Sequence, residues 1–187
     1  MELTNWKKGS IICPNETPEI WEHFGHEFYH AFSHLPQQLL REIWKFDNED
    51  QQIYLKTPLE DDFIFPWVED GKILGYLAGE MDTDTHFSQY RYYEFQRPEG
   101  LPKTFEILSL FRTSEQASGQ VNLKKDFLQE QVGPALLEFG FELAIATCTD
   151  QMLPFYKRWG AEVIDQHDFH GFNRYLILGD IRQFMGN

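Results

Sequence analysis

Residues 106–130 read EILSLFRTSEQASGQVNLKKDFLQE and contain the sharpest change of pattern in the chain. The spacing of apolar residues predicts a strand over residues 105–111, a polar loop over residues 112–121 and an amphipathic helix over residues 122–139. A loop between a buried strand and the start of a helix presents unpaired backbone N–H groups, and the positive end of the helix, to an anion. The stretch is therefore a candidate anion site.

Three residues in this stretch suit a bound anion. Gly119 lets the backbone come close to a ligand, because it has no side chain. Lys124 and Lys125 lie in the first helical turn, where a positive charge is otherwise unfavourable and a bound phosphate would account for it. On these residues alone, an ordinary surface turn with one glycine is the alternative interpretation.

Apolar spacing and turn residues also divide the rest of the chain into helices and strands. After the loop they predict a strand over 141–146, a short helix over 151–159 closed by Gly160, and strands over 163–164 and 174–178 joined through residues 166–173. Before it they predict helices over 17–34 and 37–46, a strand over 53–55, a hairpin of strands 62–68 and 73–81, and a strand over 89–95.

These elements predict a single α/β (α+β) domain over residues 1–187. Its core would be a mixed, mostly antiparallel sheet of six or seven strands that is flanked by helices, since a meander is followed by a strand–loop–helix–strand unit. Residues 1–50 would form a helical N-terminal part of this domain.

Length and charge exclude several classes of protein. The chain has 187 residues with 16 basic and 30 acidic side chains, a net charge of −14 at pH 7. Such a charge repels phosphate, so we expect neither nucleic acid nor an anionic membrane as a partner. No apolar stretch is long enough to span a membrane, the first residues are too polar for a signal peptide, and two cysteines make no disulfide framework. The expected location is the cytoplasm.

The negative charge is concentrated in the first half of the sequence. Residues 1–100 carry 8 basic and 19 acidic side chains, whereas residues 101–187 carry 8 and 11. An anionic ligand is therefore expected to prefer the second half, and a cationic ligand the first.

Two motifs resemble those of the GCN5-related N-acetyltransferase (GNAT) family. The loop sequence QASGQV, residues 116–121, is similar to the family's pyrophosphate loop, Gln/Arg-x-x-Gly-x-Gly/Ala, and follows the apolar strand at the family's spacing. The sequence CTDQMLPFYKRWGAEVI, residues 148–164, is similar to a later family motif of strand, polar break, short helix with a tyrosine, and strand. The resemblance covers residues 104–165, which would be the donor-binding core.

The resemblance implies a sheet that is splayed between the family's fourth and fifth strands, with the pantetheine arm of coenzyme A in the gap. It implies acetyl-CoA or another acyl-CoA as donor, a primary amine on a small molecule or peptide as acceptor, no required metal, and a possible homodimer. The donor-binding residues would be the main chain of Leu110, Phe111 and Arg112, the loop residues Gln116, Ala117, Ser118, Gly119, Gln120 and Val121, and Lys124.

By the same resemblance, Tyr156 would be the general acid that protonates the departing thiolate. The alternative for Tyr156 is a buried aromatic residue with a paired hydroxyl. Glu106 would be the general base, because many family members keep a glutamate on this strand. Glu80, Asp82 and Asp84 could hold a cationic acceptor, or they could form a solvated acidic loop.

Two features of the sequence leave other functions open within this resemblance. The run DFHGFNRYLIL, residues 168–178, resembles the branch of the family that makes N-acyl amino acids and acyl-homoserine lactones from an acyl-carrier protein. The loop has Val121 where the family has its final glycine, and Glu115 beside it would repel phosphate. A non-catalytic GNAT-like binding module is therefore a further alternative.

A different motif raises the alternative of a zinc hydrolase. Residues 26–30 read HEFYH, a literal H-E-x-x-H on a predicted helix, in which His26 and His30 would bind zinc and Glu27 would activate water. The position at which metzincins place a third ligand is Pro36 here. A plain amphipathic helix is the competing interpretation.

Overall fold

The structure is a computed structural model, and it describes residues 9–12, 17–35, 44–55, 62–82, 89–113 and 122–184. The chain divides into two compact units. The first comprises Met1–Ala78 and Ser109–Val121, and the second comprises Gly79–Leu108 and Asn122–Asn187. The predicted single domain over the whole chain stays a prediction.

The described residues form helices and strands in the following order: α1 Pro18–Phe32, β1 Trp44–Asp47, β2 Gln52–Leu55, β3 Asp62–Glu69, β4 Lys72–Met81, α2 Gln89–Tyr92, β5 Thr104–Arg112, a π-helix Leu123–Val132, α3 Gly133–Glu138, β6 Leu143–Thr149, α4 Leu153–Arg158, β7 Glu162–Phe169, β8 Phe172–Asp180 and α5 Ile181–Phe184. No helix among these is long and apolar enough to cross a lipid bilayer.

Six of the strands form one sheet in the order β3-β4-β5-β6-β8-β7, and β1 and β2 form a separate pair. The neighbours β5 and β6 are parallel, whereas β6 with β8 and β8 with β7 are antiparallel. This arrangement confirms the predicted fold class of a mixed, mostly antiparallel sheet flanked by helices.

Aromatic side chains of α1 organise the first unit. Phe24 and Phe28 are four residues apart, so they lie on the same face of the helix, and both are buried. Their ring centroids lie 5.9 and 4.9 Å from that of Trp44 on β1. The helix begins at Pro18, as predicted, and ends at Phe32, slightly before the predicted end.

The predicted second helix over residues 37–46 is wrong at its C-terminal end, because Trp44–Asp47 form strand β1. Its partner β2 runs antiparallel and places Ile53 opposite Phe46. An oxygen of the Asp47 side chain accepts two backbone N–H groups of the intervening turn, at 3.0 and 3.2 Å. Pairing with β2 therefore outweighs the helical spacing of the apolar residues here. Residues 37–43 of the predicted helix lie outside the described part of the chain.

Residues 89–95 were predicted as a strand and begin instead with α2. Their alternating aromatic residues favour a strand locally. The helix forms because Glu106 Oε1 accepts the Tyr90 N–H at 3.0 Å, and it ends at Tyr92, two residues before Glu94, whose φ is 66°. A residue distant in sequence thus supplies the hydrogen bond that starts this helix.

Residues 166–173 are predicted as a connection but instead form the paired strand ends and the turn of the hairpin between β7 and β8. His170 and Gly171 have φ values of 52° and 84°, the positive values that a two-residue hairpin turn requires. Asp168 Oδ1 accepts the Gly171 N–H at 2.9 Å. The turn was missed because His-Gly is a less usual pair for it than Asn-Gly.

The predicted helix over residues 122–139 is present in two parts. The π-helix ends where the Gly133 N–H donates to Leu128 O, five residues earlier. Pro134 lacks an N–H group and lies at the start of α3. The pair Gly133-Pro134 therefore perturbs the helix, as its sequence predicts.

Gly79 on β4 allows β4 and β5 to approach closely. A Cβ atom at this position would collide with Glu106 O and with the ring of Phe105. We expect Gly79→Ala to lower the free energy of unfolding by about 2 to 3 kcal/mol, because the backbone oxygen cannot move without disturbing the sheet. At Gly100 an added Cβ atom would meet no other atom within 4 Å, although the residue has φ +71°. Gly100→Ala should therefore lower the free energy of unfolding by only about 1 kcal/mol, the cost of the backbone conformation alone. Equal losses in the free energy of unfolding of the two variants, measured by urea denaturation, would contradict this account.

Candidate active site

Strands β5 and β6 pair over only part of their lengths. The parallel register joins Thr104–Ile107 to Leu143–Ala146, although β5 continues to Arg112. Strand β6 continues to Thr149 and keeps its register with β8 to that point. Within the residues that the structure describes, β5 and β6 therefore stop pairing after four residue pairs. A loss of pairing at this point is what the splayed sheet of the family resemblance requires.

The two predicted catalytic residues lie on opposite faces of the sheet at the end of this register. Successive side chains of a strand point to opposite faces, so Glu106 and Ile107 face opposite ways. Ile107 and Tyr156 both pack against a buried cluster that includes Ala146 and Cys148. Tyr156 therefore shares a face with Ile107, and Glu106 points to the other face.

The carboxyl group of Glu106 lies in a fully buried site, with 0% of the residue exposed. Its Oε1 accepts the Tyr90 N–H, and its Oε2 accepts no hydrogen bond from a described donor. Burial raises the pKa of Glu106 well above its usual value, and the neighbouring Glu80 carboxyl raises it further, whereas the Tyr90 N–H acts in the opposite direction. The site therefore favours the protonated carboxyl and supplies a group that can accept a proton once it is ionised.

Asp82 lies near this carboxyl and is fully engaged. Its Oδ2 pairs with Arg97 Nε at 2.9 Å, and its Oδ1 accepts the Tyr90 hydroxyl at 2.7 Å. Glu80 and Asp82 are both buried, so they do not form the solvated loop that was the alternative for them. Asp84 lies outside the described residues.

Two partners of this acidic group, Tyr90 and Arg97, are not indicated by the sequence. Burial raises the pKa of the Tyr90 hydroxyl, and its hydrogen bond to Asp82 raises it further. The sequence around Arg97 does not indicate that it pairs with Asp82, because this ion pair forms only when the chain folds back.

Tyr156 is carried by α4 and packs against the opposite face of the sheet. Burial, with a smaller contribution from the nearby Cys148, raises the pKa of its hydroxyl to about 12. Burial likewise raises the pKa of the Cys148 thiol, to about 11. The Tyr156 hydroxyl makes no hydrogen bond within the described part of the chain, so the alternative of a paired hydroxyl has no support there. A protonated phenol in this position can donate to a developing anion.

The predicted donor-binding residues on β5 differ in where their main chains point. Thr113 N–H donates to Leu74 O on β4 at 3.0 Å. Because backbone groups alternate between the two edges of a strand, those of Phe111 also point to β4. The main chains of Leu110 and Arg112 point to the opposite edge of the strand.

The predicted diphosphate loop falls in a part of the chain that the structure does not describe. The residues Gln116, Ala117, Ser118, Gly119, Gln120 and Val121 lie outside the described residues. Lys124 is half-buried in the first turn of the π-helix. In the same turn, the Asn122 side chain accepts the Lys125 N–H at 3.1 Å and Asp126 accepts the Asn122 N–H at 2.7 Å, so the helix begins with a reciprocal cap.

The H-E-x-x-H motif does not form a metal site within the described residues. His26 and His30 are exposed on α1 with their Nε2 atoms 3.1 Å apart, and His26 Nδ1 lies 3.2 Å from Gln51 O. Glu27 is buried, and its charge raises the pKa of Tyr76, so it lies on a different side of the helix from the two imidazoles. No group of three potential metal ligands occurs among the described side chains. The geometry gives no support to a zinc hydrolase.

Comparison with solved structures gives matches over nearly the whole chain, although no known family and no curated protein matches the sequence. The CoA-dependent acyl-homoserine lactone synthase BjaI, solved with SAM and isopentyl-CoA, matches with a TM-score of 0.67 at 16% identity, covering 94% of this chain and 84% of that one. The acyl-homoserine lactone synthase LasI matches with a TM-score of 0.65 at 12% identity, covering 92% and 91%. FeeM, an N-acyl amino acid synthase from uncultured soil microbes, matches with a TM-score of 0.54 at 12% identity, covering 94% and 97%.

These matches confirm the predicted resemblance at the level of the fold. The chain has a GNAT-like fold, and the solved structures that share it over most of this chain include acyl-homoserine lactone synthases and an N-acyl amino acid synthase. The sequence identities are too low to carry a substrate from those proteins to this one.

Proposed function

We propose that this protein is an N-acyltransferase that moves an acyl group from a thioester to a primary amine. Acyl-CoA is the proposed donor, with an acyl-carrier protein as the alternative. The solved structures of similar fold support this reaction class, because they include a CoA-dependent synthase bound to an acyl-CoA and a synthase of N-acyl amino acids. The acyl chain proposed is acetyl or longer.

The observation that carries the proposal is the end of the register between β5 and β6. There the pairing stops while both strands continue, and Glu106 and Tyr156 lie on opposite faces of the sheet at that point. A thioester whose carbonyl lies at this point would have a base on one side and an acid on the other, which is the arrangement that amide formation needs.

The proposed reaction follows from the chemistry of these two groups. Glu106, when ionised, takes a proton from the neutral amine of the acceptor as the amine nitrogen attacks the thioester carbonyl. The tetrahedral intermediate collapses by breaking its carbon–sulfur bond, and the Tyr156 hydroxyl gives its proton to the departing thiolate. The products are an amide and a free thiol, and the catalytic groups exchange protons with solvent between turnovers.

Donor binding is proposed for the main chain of β5 and for the loop that follows it. The main-chain groups of Leu110, which point away from β4, would hydrogen-bond with the amides of a pantetheine arm. Residues 114–121 would bind the diphosphate through backbone N–H groups, and Lys124 lies in the helical turn that follows.

Thermal stabilisation by acyl-CoA tests this proposal. A ligand at about 100 times its dissociation constant adds about 2.7 kcal/mol to the free energy of unfolding. For a chain of this size we expect Tm to rise by about 5 to 10 °C. The measurement is a melting curve with acetyl-CoA and a series of longer acyl-CoAs, together with a thiol-release assay that uses mixed amines.

Two controls make the result specific. ATP at the same concentration should give no comparable rise, which separates donor recognition from a general anion effect. Tyr156→Phe should keep the rise in Tm and lose turnover, since Tyr156 is proposed to act on the leaving group and not to bind the donor. Absence of stabilisation by every thioester, including acyl-carrier protein, would refute the proposed function in favour of a non-catalytic module.

A further inference from the structure

Glu80 is a buried carboxyl group that the proposed reaction does not use. It lies on β4 with only 2% of the residue exposed. Strand β4 neighbours β5, and the Asp82 N–H donates to Thr104 O at 3.0 Å. Earlier on β4, a Cβ atom on Gly79 would collide with the backbone oxygen of Glu106, which lies later on β5. The two strands therefore run antiparallel in this part of the second unit.

This pairing places two carboxyl groups opposite each other. The hydrogen bond between Asp82 and Thr104 sets the register. Glu80 lies two residues before Asp82, and Glu106 lies two residues after Thr104, so the two glutamates are partners in the register. Side chains that are opposite each other in neighbouring strands share a face of the sheet and lie close together. Both glutamates belong to the second unit, and both are buried.

A hydrogen bond between their side chains joins these two carboxyl groups. An ionised carboxylate only accepts hydrogen bonds, so two carboxyl groups can bond in this way only when one of them carries a proton. Two ionised carboxylates at buried, opposite positions repel each other strongly. The pair of Glu80 and Glu106 therefore retains a proton above the pH at which exposed carboxyl groups ionise.

The other groups that face Glu106 leave Glu80 as its main charged neighbour. From α2, Tyr90 donates its N–H to Glu106 and its hydroxyl to Asp82. From β4, the Asp82 charge acts on Glu106 in the same direction as Glu80 but more weakly, and Asp82 is paired with Arg97 at 2.9 Å. From β6, an apolar side chain lies opposite Glu106 in the parallel register. Glu80 is thus the neighbouring charge with the largest influence on the proposed base.

We propose that Glu80 is a positioning residue for the proposed base, and that its carboxylate accepts a hydrogen bond from Glu106 once Glu106 has taken the proton of the amine. The N–H bond of the amine breaks, the proton moves to an oxygen of Glu106, and the new O–H group donates to Glu80. The proton then leaves to solvent before the next turnover. The negative charge of Glu80 strengthens the base, because it increases the affinity of Glu106 for a proton. This inference rests on the proposed N-acyltransferase function for its readout of activity.

The free energy of unfolding over a series of pH values tests the carboxyl pair without any substrate. In the wild type, stability falls from the unfolded pKa of Glu106 up to its raised folded pKa, since only the folded protein holds the proton in that range. Glu80→Gln removes the neighbouring charge, so in this variant the fall should end at a lower pH. Glu162→Gln, which neutralises an exposed glutamate of β7, should leave the end of the fall unchanged. A fall that ends at the same pH in Glu80→Gln as in the wild type would overturn the proposal.

Acyl transfer tests the role of Glu80 in the reaction. The kcat/KM of Glu80→Gln, divided by that of the wild type, should be about one-tenth at high pH, because the variant has the weaker base. This ratio should rise as the pH falls, because Glu106 of the variant stays ionised to a lower pH. Dividing the two values cancels the ionisation of the amine, which both proteins share. Glu80→Asp keeps the charge and should lie closer to the wild type at every pH. A ratio that is constant with pH would show that Glu80 only packs the site, and would overturn the proposal.

Infrared spectroscopy of the wild type decides the matter if Glu80→Gln does not fold. A C=O band of a protonated carboxyl group should persist above the pH at which exposed carboxyl groups ionise, and Glu106→Gln should remove it. Absence of this band from the wild type would overturn the proposal.

The outcomes also separate this inference from the proposed function. The stability and infrared measurements do not depend on acyl transfer, so a shifted fall in Glu80→Gln without transfer to any amine would support the carboxyl pair and refute the proposed function. Acyl transfer with a ratio that is constant with pH would keep the proposed function and refute the role of Glu80.

Discussion

The Glu106→Gln variant should transfer acyl groups at least about 100-fold more slowly than the wild type, measured as kcat/KM. Glutamine keeps the size of the side chain and an oxygen that can accept the Tyr90 N–H, so α2 should still form. It cannot take a proton from the amine. The measurement is initial-rate kinetics, with the exposed Glu138→Gln as a control that should behave as the wild type. An unchanged kcat/KM for the Glu106 variant would remove its proposed role.

The same substitution should change how stability depends on pH. The pKa of Glu106 is raised in the folded state, so between its unfolded and folded pKa values the folded protein holds a proton that the unfolded chain has lost. Its contribution to stability is therefore complete below the unfolded pKa and is lost as pH rises through the folded pKa.

Glu106→Gln cannot ionise, so it should flatten the fall in the free energy of unfolding toward high pH. Urea denaturation of wild type and variant over a series of pH values measures the difference. Parallel curves for the two proteins would show that Glu106 titrates normally.

The second large effect is expected for Tyr156→Phe, which should lower kcat by about 100-fold with little change in KM. The phenol is proposed to protonate the thiolate only as the carbon–sulfur bond breaks, so its loss affects the transition state and not donor binding. Because burial raises the pKa of Tyr156 to about 12, the wild type should show no loss of activity from its ionisation at ordinary assay pH.

A thioester of a more acidic thiol distinguishes this role from a structural one. A thiophenol thioester needs little protonation of its leaving group, so it should restore much of the activity of the Tyr156→Phe variant. The exposed Tyr54→Phe serves as a control and should leave both substrates unaffected. Equal deficits of the Tyr156 variant with both thioesters would indicate that the phenol packs the site without donating a proton.

Local patterns predicted the elements whose partners are adjacent in sequence. The hairpin of β3 and β4 was anticipated from its turn residues, and the short helix α4 from the Gly160 that follows it, whose φ is +94°. Glu106 and Tyr156 were identified by their positions relative to family motifs. The sequence could not indicate that Glu106 would be buried beside Glu80, since the two carboxyls come from different strands.

The order of residues along the chain alone determined where apolar strands, turn glycines and the two GNAT-like motifs occur, because those features depend on neighbouring residues. Only the tertiary structure decided that residues 89–92 form a helix, through the distant Glu106 carboxyl, and that residues 44–47 form a strand, through pairing with β2. It also decided that Arg174 is buried against Tyr93, 81 residues earlier in the chain. Burial and charge pairing arise between residues far apart in sequence, so they exist only once the chain has folded.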